Sequence, residues 1–488
     1  MRYALSLLAL AAALAALPTG TSAWEATTTH AGLTEQAALH SRLHQRLTGQ
    51  FGVERGLFGH LTVPPADAPQ LMEALGRLNP THGHVPDNRG RLLALGWLAA
   101  GSVLADTPPS HAANHFFDPT TGKGLSDATV RGLGAGLRHA LYRRLASDSI
   151  VRSGLPATEW ITHGDNPMNV AGFYDQYSKA VTAATPAERE RHVAGTLLAA
   201  GALLHVLQDM GSPSHVRDDL AAHLDVVGND ASDVGSRFER LAALAYGRLG
   251  VPAPRRQVTR PSIQAFFAGD DRGGLADWTA LSWFSAYTLP RPIRVRPGAG
   301  TTGLAEQLTR SVSRPHPAPL PRLDFITARE PRGARLVDGR GVCVAGYQLQ
   351  QAELSWYLDD ECLAEQVSVI LPEVSAYSAG LLDFLFRATI ELAYDNRRME
   401  LTVVGSDLAA GTLEIFWDDS RGVRTQYGQP TPVDQATDGQ VFAVIPKQLP
   451  GQATAVAAIY RGVDRNGQTL YAAGYRSLIS EKPAPAEE

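Results

Sequence analysis

The chain has 488 residues, of which 44% are apolar and 19% charged, and a net charge of -5. This composition excludes a disordered chain and a single ordinary domain, and supplies apolar side chain for a sizeable core. A net negative chain has no positive field to draw it onto nucleic acid, so no stable nucleic-acid partner is expected; a nuclease survives that test, because bound metal ions add charge that a residue count omits.

In chain order, the first signal is Arg2, then the apolar run Ala4 to Leu17, then Pro18 and Gly20, then Thr21-Ser22-Ala23. The pattern is a secretory signal peptide over residues 1–23, cut before Trp24. The run is shorter than the roughly 20 residues that span a bilayer, and no later segment reads as a transmembrane helix. The mature protein is expected to be soluble and secreted, with the periplasm as the alternative destination.

Residues 24–388 read as a mainly helical domain. Apolar residues recur at helical spacing over Leu33 to Leu47, Arg91 to Ala105 and Gly132 to Leu145. A long apolar helix is predicted over Ala187 to Met210, started by Thr185-Pro186 and stopped by Pro213. Over about 290–340 the chain is rich in Pro and Arg, which predicts an extended surface excursion. Helix returns over Ala364 to Phe386, with Pro372 as a kink or restart.

From 389 to 480, short β-forming runs take over: Met399 to Val404, Thr412 to Trp417, Val441 to Ile445, Ala455 to Tyr460 and Thr469 to Tyr475. Asn466-Gly467 predicts a hairpin between the last two. The expected fold class is mostly α, followed by a small all-β sandwich domain and a frayed tail at 481–488. The two cysteines, Cys343 and Cys362, form a disulfide or stand as two buried thiols. They are too few for a four-Cys metal site. Any metal must be held by His, Asp and Glu, which points to a catalytic site.

Three segments concentrate such donors. In His205-Val206-Leu207-Gln208-Asp209-Met210-Gly211-Ser212-Pro213-Ser214-His215, His205 and Asp209 project from one helix face, and Pro213 brings His215 round on a turn. The apolar helix before them predicts burial. Burying an unpaired carboxylate is costly, and a metal ion removes that cost; a helix end with a core His hydrogen-bonded to Asp is the competing reading. The second segment holds Asp106, His111 and Asn114-His115-Phe116-Phe117-Asp118-Pro119. The third is the new N-terminus, Trp24 to His30, whose α-amine has an ordinary pKa of about 7.7–8.0 and can lose its proton to a metal. His40 and His44 are also four apart, but no acid completes a site there. Phe116, Phe117 and Trp160 read as aromatic core rather than as a cage for a quaternary ammonium group.

Together, Trp24 after the signal cut, Thr29-His30-Ala31, Asp106 with His115-Phe116-Phe117-Asp118-Pro119, and His205-x-x-x-Asp209-x-x-x-Pro213-x-His215 resemble the zinc-dependent phospholipase C family of bacteria, within a superfamily that includes single-strand nucleases. The resemblance implies two or three zinc ions. Trp24, His30 and Asp209 would hold one; His115, His205 and Asp209 a second; His215 would contribute to a third. Asp106 would orient or deprotonate the attacking water and belongs with the metal ligands. The family pattern adds a His and a Glu four apart. Glu239 matches the Glu, but Gly235 stands at the His position, leaving His223, Asp218 or Asp219 to fill the gap.

The function implied is hydrolysis of phosphate diesters at a phospholipid membrane surface, releasing diacylglycerol and a phosphorylated head group. One alternative is a zinc-dependent single-strand nuclease or nucleotidase. Another is a non-enzymatic surface protein with a degenerate metal site, suggested by Gly235.

Overall fold

The computed structural model describes residues 26–66, 69–76, 85–126, 153–223, 236–294, 328–330, 333–394, 398–446 and 449–479. The signal segment, Trp24, the helix expected over Gly132 to Leu145, Gly235 and the tail lie outside the described residues.

The helical body is built on α1 (Ala31–Leu39), α2 (Leu43–Phe51), α3 (Ala94–Leu104), α4 (Val170–Thr182), α5 (Pro186–Asp209), α6 (Arg237–Tyr246), α7 (Leu275–Ser282) and α8 (Asp360–Leu385), with shorter helical turns between them. Where one helix was expected over Leu33 to Leu47, the chain breaks at His40–Arg42 into α1 and α2. A small antiparallel pair, β1 (His60–Thr62) and β2 (Arg91–Leu93), leads into α3.

The central element is α5. Pro186 opens it, the Thr185 side chain accepts from the Glu188 N–H, and the Glu188 carboxylate accepts from the Thr185 N–H at 3.1 Å. This reciprocal cap satisfies two orphan donors at the helix start. From Thr196 to Asp209 every residue is buried, as expected of a helix apolar on all sides. It crosses α3 at two glycines. A Cβ on Gly101 would lie 2.2 Å from the Leu198 carbonyl oxygen, and one on Gly201 would lie 2.0 Å from that of Leu98. Only glycine permits this approach.

Helix α8 is continuous through Pro372, with no restart. It is also the one helix among the described residues long and apolar enough to cross a bilayer, which the sequence reading did not anticipate; 72% of its most apolar stretch is buried inside the protein, so that face is already used. The Cys343–Cys362 disulfide ties its first turn to a neighbouring strand.

That strand belongs to a sheet the sequence reading missed. β3 (Ile293–Arg294), β4 (Ala328–Glu330), β5 (Gly333–Val337), β6 (Cys343–Gln350) and β7 (Glu353–Tyr357) form an antiparallel sheet in the order β3-β7-β6-β5-β4. Leu336, Val344 and Ala345 from it are buried in the main core. The stretch ending near 340 is therefore partly core rather than a surface excursion, and the fold is mixed rather than mostly α. Most of residues 295–332 lie outside the description.

The C-terminal strands are β8 (Ala388–Tyr394), β9 (Arg398–Val404), β10 (Leu408–Asp418), β11 (Arg424–Gln426), β12 (Thr431–Val433), β13 (Val441–Pro446), β14 (Ala455–Asp464) and β15 (Thr469–Ser477). Hydrogen bonds join them into one eight-stranded sheet in the order β11-β10-β14-β15-β8-β9-β13, with β12 also on β10. The Asn466-Gly467 turn joins β14 and β15 as the sequence predicts, with Gly467 at φ 72°. The sheet curls round a core of its own, where Ile390, Leu401, Leu413, Val456, Ala458 and Leu470 meet. Its other face joins the helical core through Phe416, Ala457, Ile459 and Ala473. The alternation along β14 is the two-residue period of a strand buried on both faces.

Sheet and body are fastened by polar contacts. Tyr174 Oη donates to the Thr469 carbonyl at 2.9 Å, and Gln50 Nε2 to that of Ala388 at 2.7 Å. Arg424 makes a two-pronged pair with Asp418 at 2.7 and 2.8 Å while donating to the Val181 carbonyl at the end of α4.

Candidate metal centre

The last turn of α5 carries His205, Gln208 and Asp209, all fully buried. His205 Nδ1 lies 2.6 Å from the Ser102 carbonyl oxygen of α3. A carbonyl only accepts, so Nδ1 carries the proton and Nε2 of the neutral ring presents a lone pair. That Nε2 faces carboxylate oxygens of Asp209 at 3.3 Å and Asp106 at 3.4 Å. His30, at the end of the turn Ala26–His30, repeats the arrangement. Its Nδ1 lies 2.7 Å from Gln208 Oε1, whose amide donates to Thr34. Its Nε2 faces Asp209 Oδ1 at 3.2 Å. The His30 and His205 rings stack with centroids 3.7 Å apart.

Asp106 follows α3, and the 3-10 turn Pro109–His115 then presents His115. Asn114 holds the turn by accepting from the Leu155 N–H at 2.9 Å. His115 Nδ1 lies 2.9 Å from Asp209 Oδ2 and 3.3 Å from Asp106 Oδ1. Asp106 keeps 10% of its side chain exposed, against 0–1% for His205, His115 and Asp209, while both of its oxygens are buried within the cluster.

A second pocket of donors adjoins the first. His215, His223 and Glu239 bring ligand atoms within 4.8 Å of one another. Ser236 caps α6 and so places Glu239, and Ser212 Oγ donates to Glu239 Oε1 at 3.0 Å. Phe116 stacks on His215 at 4.2 Å and walls the pocket. Of the three residues left open for the position of Gly235, His223 stands here. Asp218 is taken by Ser126, whose N–H and Oγ lie 3.1 and 2.7 Å from it. Asp219 accepts from the Ala222 and Tyr287 N–H groups and from Ser285.

Three donor groups result: His30-His205-Asp209, Asp106-His115-His205 and His215-His223-Glu239. Eight of the nine metal-site residues expected from the sequence thus converge, and the ninth, Trp24, is outside the described residues. His40 is not among them; its Nδ1 lies 2.9 Å from the Gln36 carbonyl oxygen. Phe116, Phe117 and Trp160 are buried wall, not a cage open to solvent. Sequence reasoning missed the supporting groups Gln208, Thr34, Ser212 and the Ser102 carbonyl. A polar Gln on the buried end of an apolar helix was the one available signal.

Electrostatics sharpen the picture. Burial disfavours charge on His205, but Asp209 and Asp106 outweigh it and hold its pKa well above the ordinary value. Burial would raise Asp209, yet His205 and His30 hold it well below. Burial, then the neighbouring His205, lowers His30; burial, then His223, pushes His215 well down. Burial raises Glu239 to about 7. The Nε2 atoms of His30 and His205 face carboxylates across 3.2–3.4 Å, and His30 Nε2, His205 Nε2, His115 Nε2, both Asp106 oxygens and both His223 nitrogens are buried without a hydrogen-bond partner among the described residues. Such an array is costly unless protons or metal cations lie between the groups. The nitrogen and carboxylate donor set, with no thiolate, suits catalytic zinc.

No family model matches the chain, and no curated protein matches it. Among solved structures it is similar to the alpha toxin from Clostridium absonum, at 11% identity and a TM-score of 0.29, over 93% of this chain and 98% of that one. It is similar also to the Clostridium perfringens alpha-toxin isolated from the avian strain SWCP, at 11% identity and a TM-score of 0.26, over 93% and 97%. Scores this low carry no argument, and the reading that follows stands on the side chains.

Proposed function

We propose that this chain is an exported zinc-dependent phosphodiesterase of the phospholipase C kind, which releases diacylglycerol and a phosphorylated head group at a membrane surface. The observation that carries the proposal is the set of buried, mutually facing and unpartnered His and carboxylate atoms. His30 and Asp209, with the Trp24 amine and carbonyl, would hold one ion. His115, His205 and Asp209 would hold a second, with Asp106 beside them, and His215, His223 and Glu239 a third. When bound, zinc supplies Lewis acidity and positive charge toward a phosphate diester.

The chain's own groups supply positioning. The Ser102 carbonyl and Gln208 fix the tautomers of His205 and His30, so both rings offer Nε2 inward. Asp106 has the most exposed side chain of the acids in the cluster, although both its oxygens are buried; burial opposes its charge, but His205 and His115 hold its pKa below the ordinary value. It is therefore ionised and placed to accept a proton from an attacking water. The disulfide fits an oxidising compartment and supports export through the signal segment.

The test is phosphocholine release from phosphatidylcholine by zinc-loaded protein beginning at Trp24, with and without a chelator. Release abolished by the chelator supports the proposal. Cleavage of single-stranded DNA in place of lipid moves the substrate to nucleic acid, and inertness toward both by fully loaded protein overturns the enzymatic reading.

A further inference from the structure

Away from the metal centre, a cleft of about 580 Å³ lies where α2, the end of α8 and the loop 254–261 meet the C-terminal sheet. Six arginines line it: Arg42, Arg46, Arg255, Arg256, Arg260 and Arg387. Five carboxylates stand against them, one of which, Asp438, acts on Arg46 from the turn before β13. Asp383 and Asp464 line the cleft; Glu373 and Asp271 pair with Arg256 at 2.8 Å and Arg260 at 2.9 Å. Cationic charge is thus in excess here, in a chain whose net charge is -5.

The arginines are not all used by the fold. The guanidinium groups of Arg42 and Arg255 make no salt bridge among the described residues, although both side chains are exposed at the rim. Arg42 donates to Asp383 through its backbone N–H, at 2.7 Å, and its side-chain charge also acts on that carboxylate without forming a salt bridge among the described residues. Arg387 has 10% of its side chain exposed, pairs with Asp464 at 3.2 Å and donates to the Phe384 carbonyl at 2.9 Å, yet its Nε is buried with no acceptor. Arg260 Nε is also buried without one. A buried N–H left without an acceptor is costly. Helix α2 compounds the cost. Arg42 is its N-cap, Arg46 follows one turn on, and its first turn has no acid, although the positive end of a helix dipole repels cations.

We propose that this cleft is a second ligand site, built to take a phosphate-bearing anion. Arginine presents a planar fork of donors that matches phosphate oxygens. One bound phosphate group would accept from the exposed Arg42 and Arg255 guanidinium groups at the rim and neutralise the excess guanidinium charge of the cleft. The site shares no residue with the His and carboxylate clusters, and the inference does not rest on the activity proposed for them. The phosphate could be carried by an anionic lipid head group or by a soluble phosphorylated compound, and the two are separable by experiment.

Isothermal titration of the full mature chain with inorganic pyrophosphate, after chelator treatment and dialysis to silence the metal centre, is the first arm. Binding is expected to weaken with salt and to fall by about tenfold or more in Arg42→Gln/Arg255→Gln, the loss of one charge-assisted hydrogen bond. Both residues sit at the rim, so the variant should fold, which its circular dichroism checks. The control Arg89→Gln/Arg421→Gln removes the same charge from exposed sites elsewhere and should bind as wild type. The second arm is co-sedimentation with vesicles of phosphatidylcholine alone and with added phosphatidic acid. Retention that needs phosphatidic acid and is lost in Arg42→Gln/Arg255→Gln identifies a lipid source; pyrophosphate binding without such retention identifies a soluble one. No pyrophosphate binding by wild type, or equal binding by the rim variant, overturns the site.

Discussion

Asp209 is the residue on which the centre turns. It faces His30 through one oxygen and His115 and His205 through the other. Asp209→Asn keeps its shape and removes its charge. The variant is expected to lose more than one metal ion per chain and nearly all turnover; elemental analysis showing full metal content would remove Asp209 from the bridging position. Glu239 gives a prediction in pH. Its pKa in the metal-free fold is about 7 against an ordinary 4.5. Between those values the folded chain holds a proton that the unfolded chain has lost, so this group's contribution to stability is complete below about 4.5 and is lost as pH rises through about 7. Glu239→Gln removes that dependence. Melting temperatures of the metal-free variant and wild type should diverge as pH rises across this window, the variant becoming relatively more stable. A constant difference would show that Glu239 carries no such proton.

At the scale of elements, the crossing of α3 and α5 positions the chemistry. Gly101 and Gly201 bring the two backbones into contact, and Ser102, next to Gly101, gives the carbonyl that orients His205. Gly101→Ala should destabilise by about 1–3 kcal/mol through overpacking and weaken metal retention as well; a denaturant titration and a metal competition assay read the two effects separately. The sequence exposed α5 because its start signals and apolar run are local, and it exposed the donors because His205, Asp209 and His215 sit within one motif. The position of His223 was not readable in this way. It depends on Asp218 and Asp219 being used by Ser126, Ser285 and Tyr287, contacts made across long stretches of chain. The sheet β3–β7 was missed for a related reason: its first strand is two residues long and its partners follow a segment whose Pro and Arg content reads as surface. The run Ala455 to Tyr460 reads as continuously apolar because both of its faces are buried, one in each core.

For the whole molecule, the attachment of the C-terminal sheet to the helical body has a polar fastener in Arg424. Its pair with Asp418 is almost completely buried, at 4% and 5% exposure, and a third contact reaches α4. Removing one partner of such a pair leaves an uncompensated buried charge, so Arg424→Ala should cost about 3–5 kcal/mol. Replacing both partners by apolar residues of similar volume should recover much of that loss. Chemical unfolding of the single and double variants tests this; equal destabilisation by both would assign the effect to lost packing alone.

Strands β14 and β15 have a consequence for the order in which the protein can be completed. Ala457, Ile459 and Ala473 lie in the same core as α5, although more than two hundred residues of chain separate them from it. A ribosome makes α2 and α4, which pack on β15 and β14, long before it makes those strands. The final packing of the helical body is completed only by strands made near the end of the chain. If the chain is exported as proposed, this late completion leaves it open to a translocation channel, which passes unfolded polypeptide.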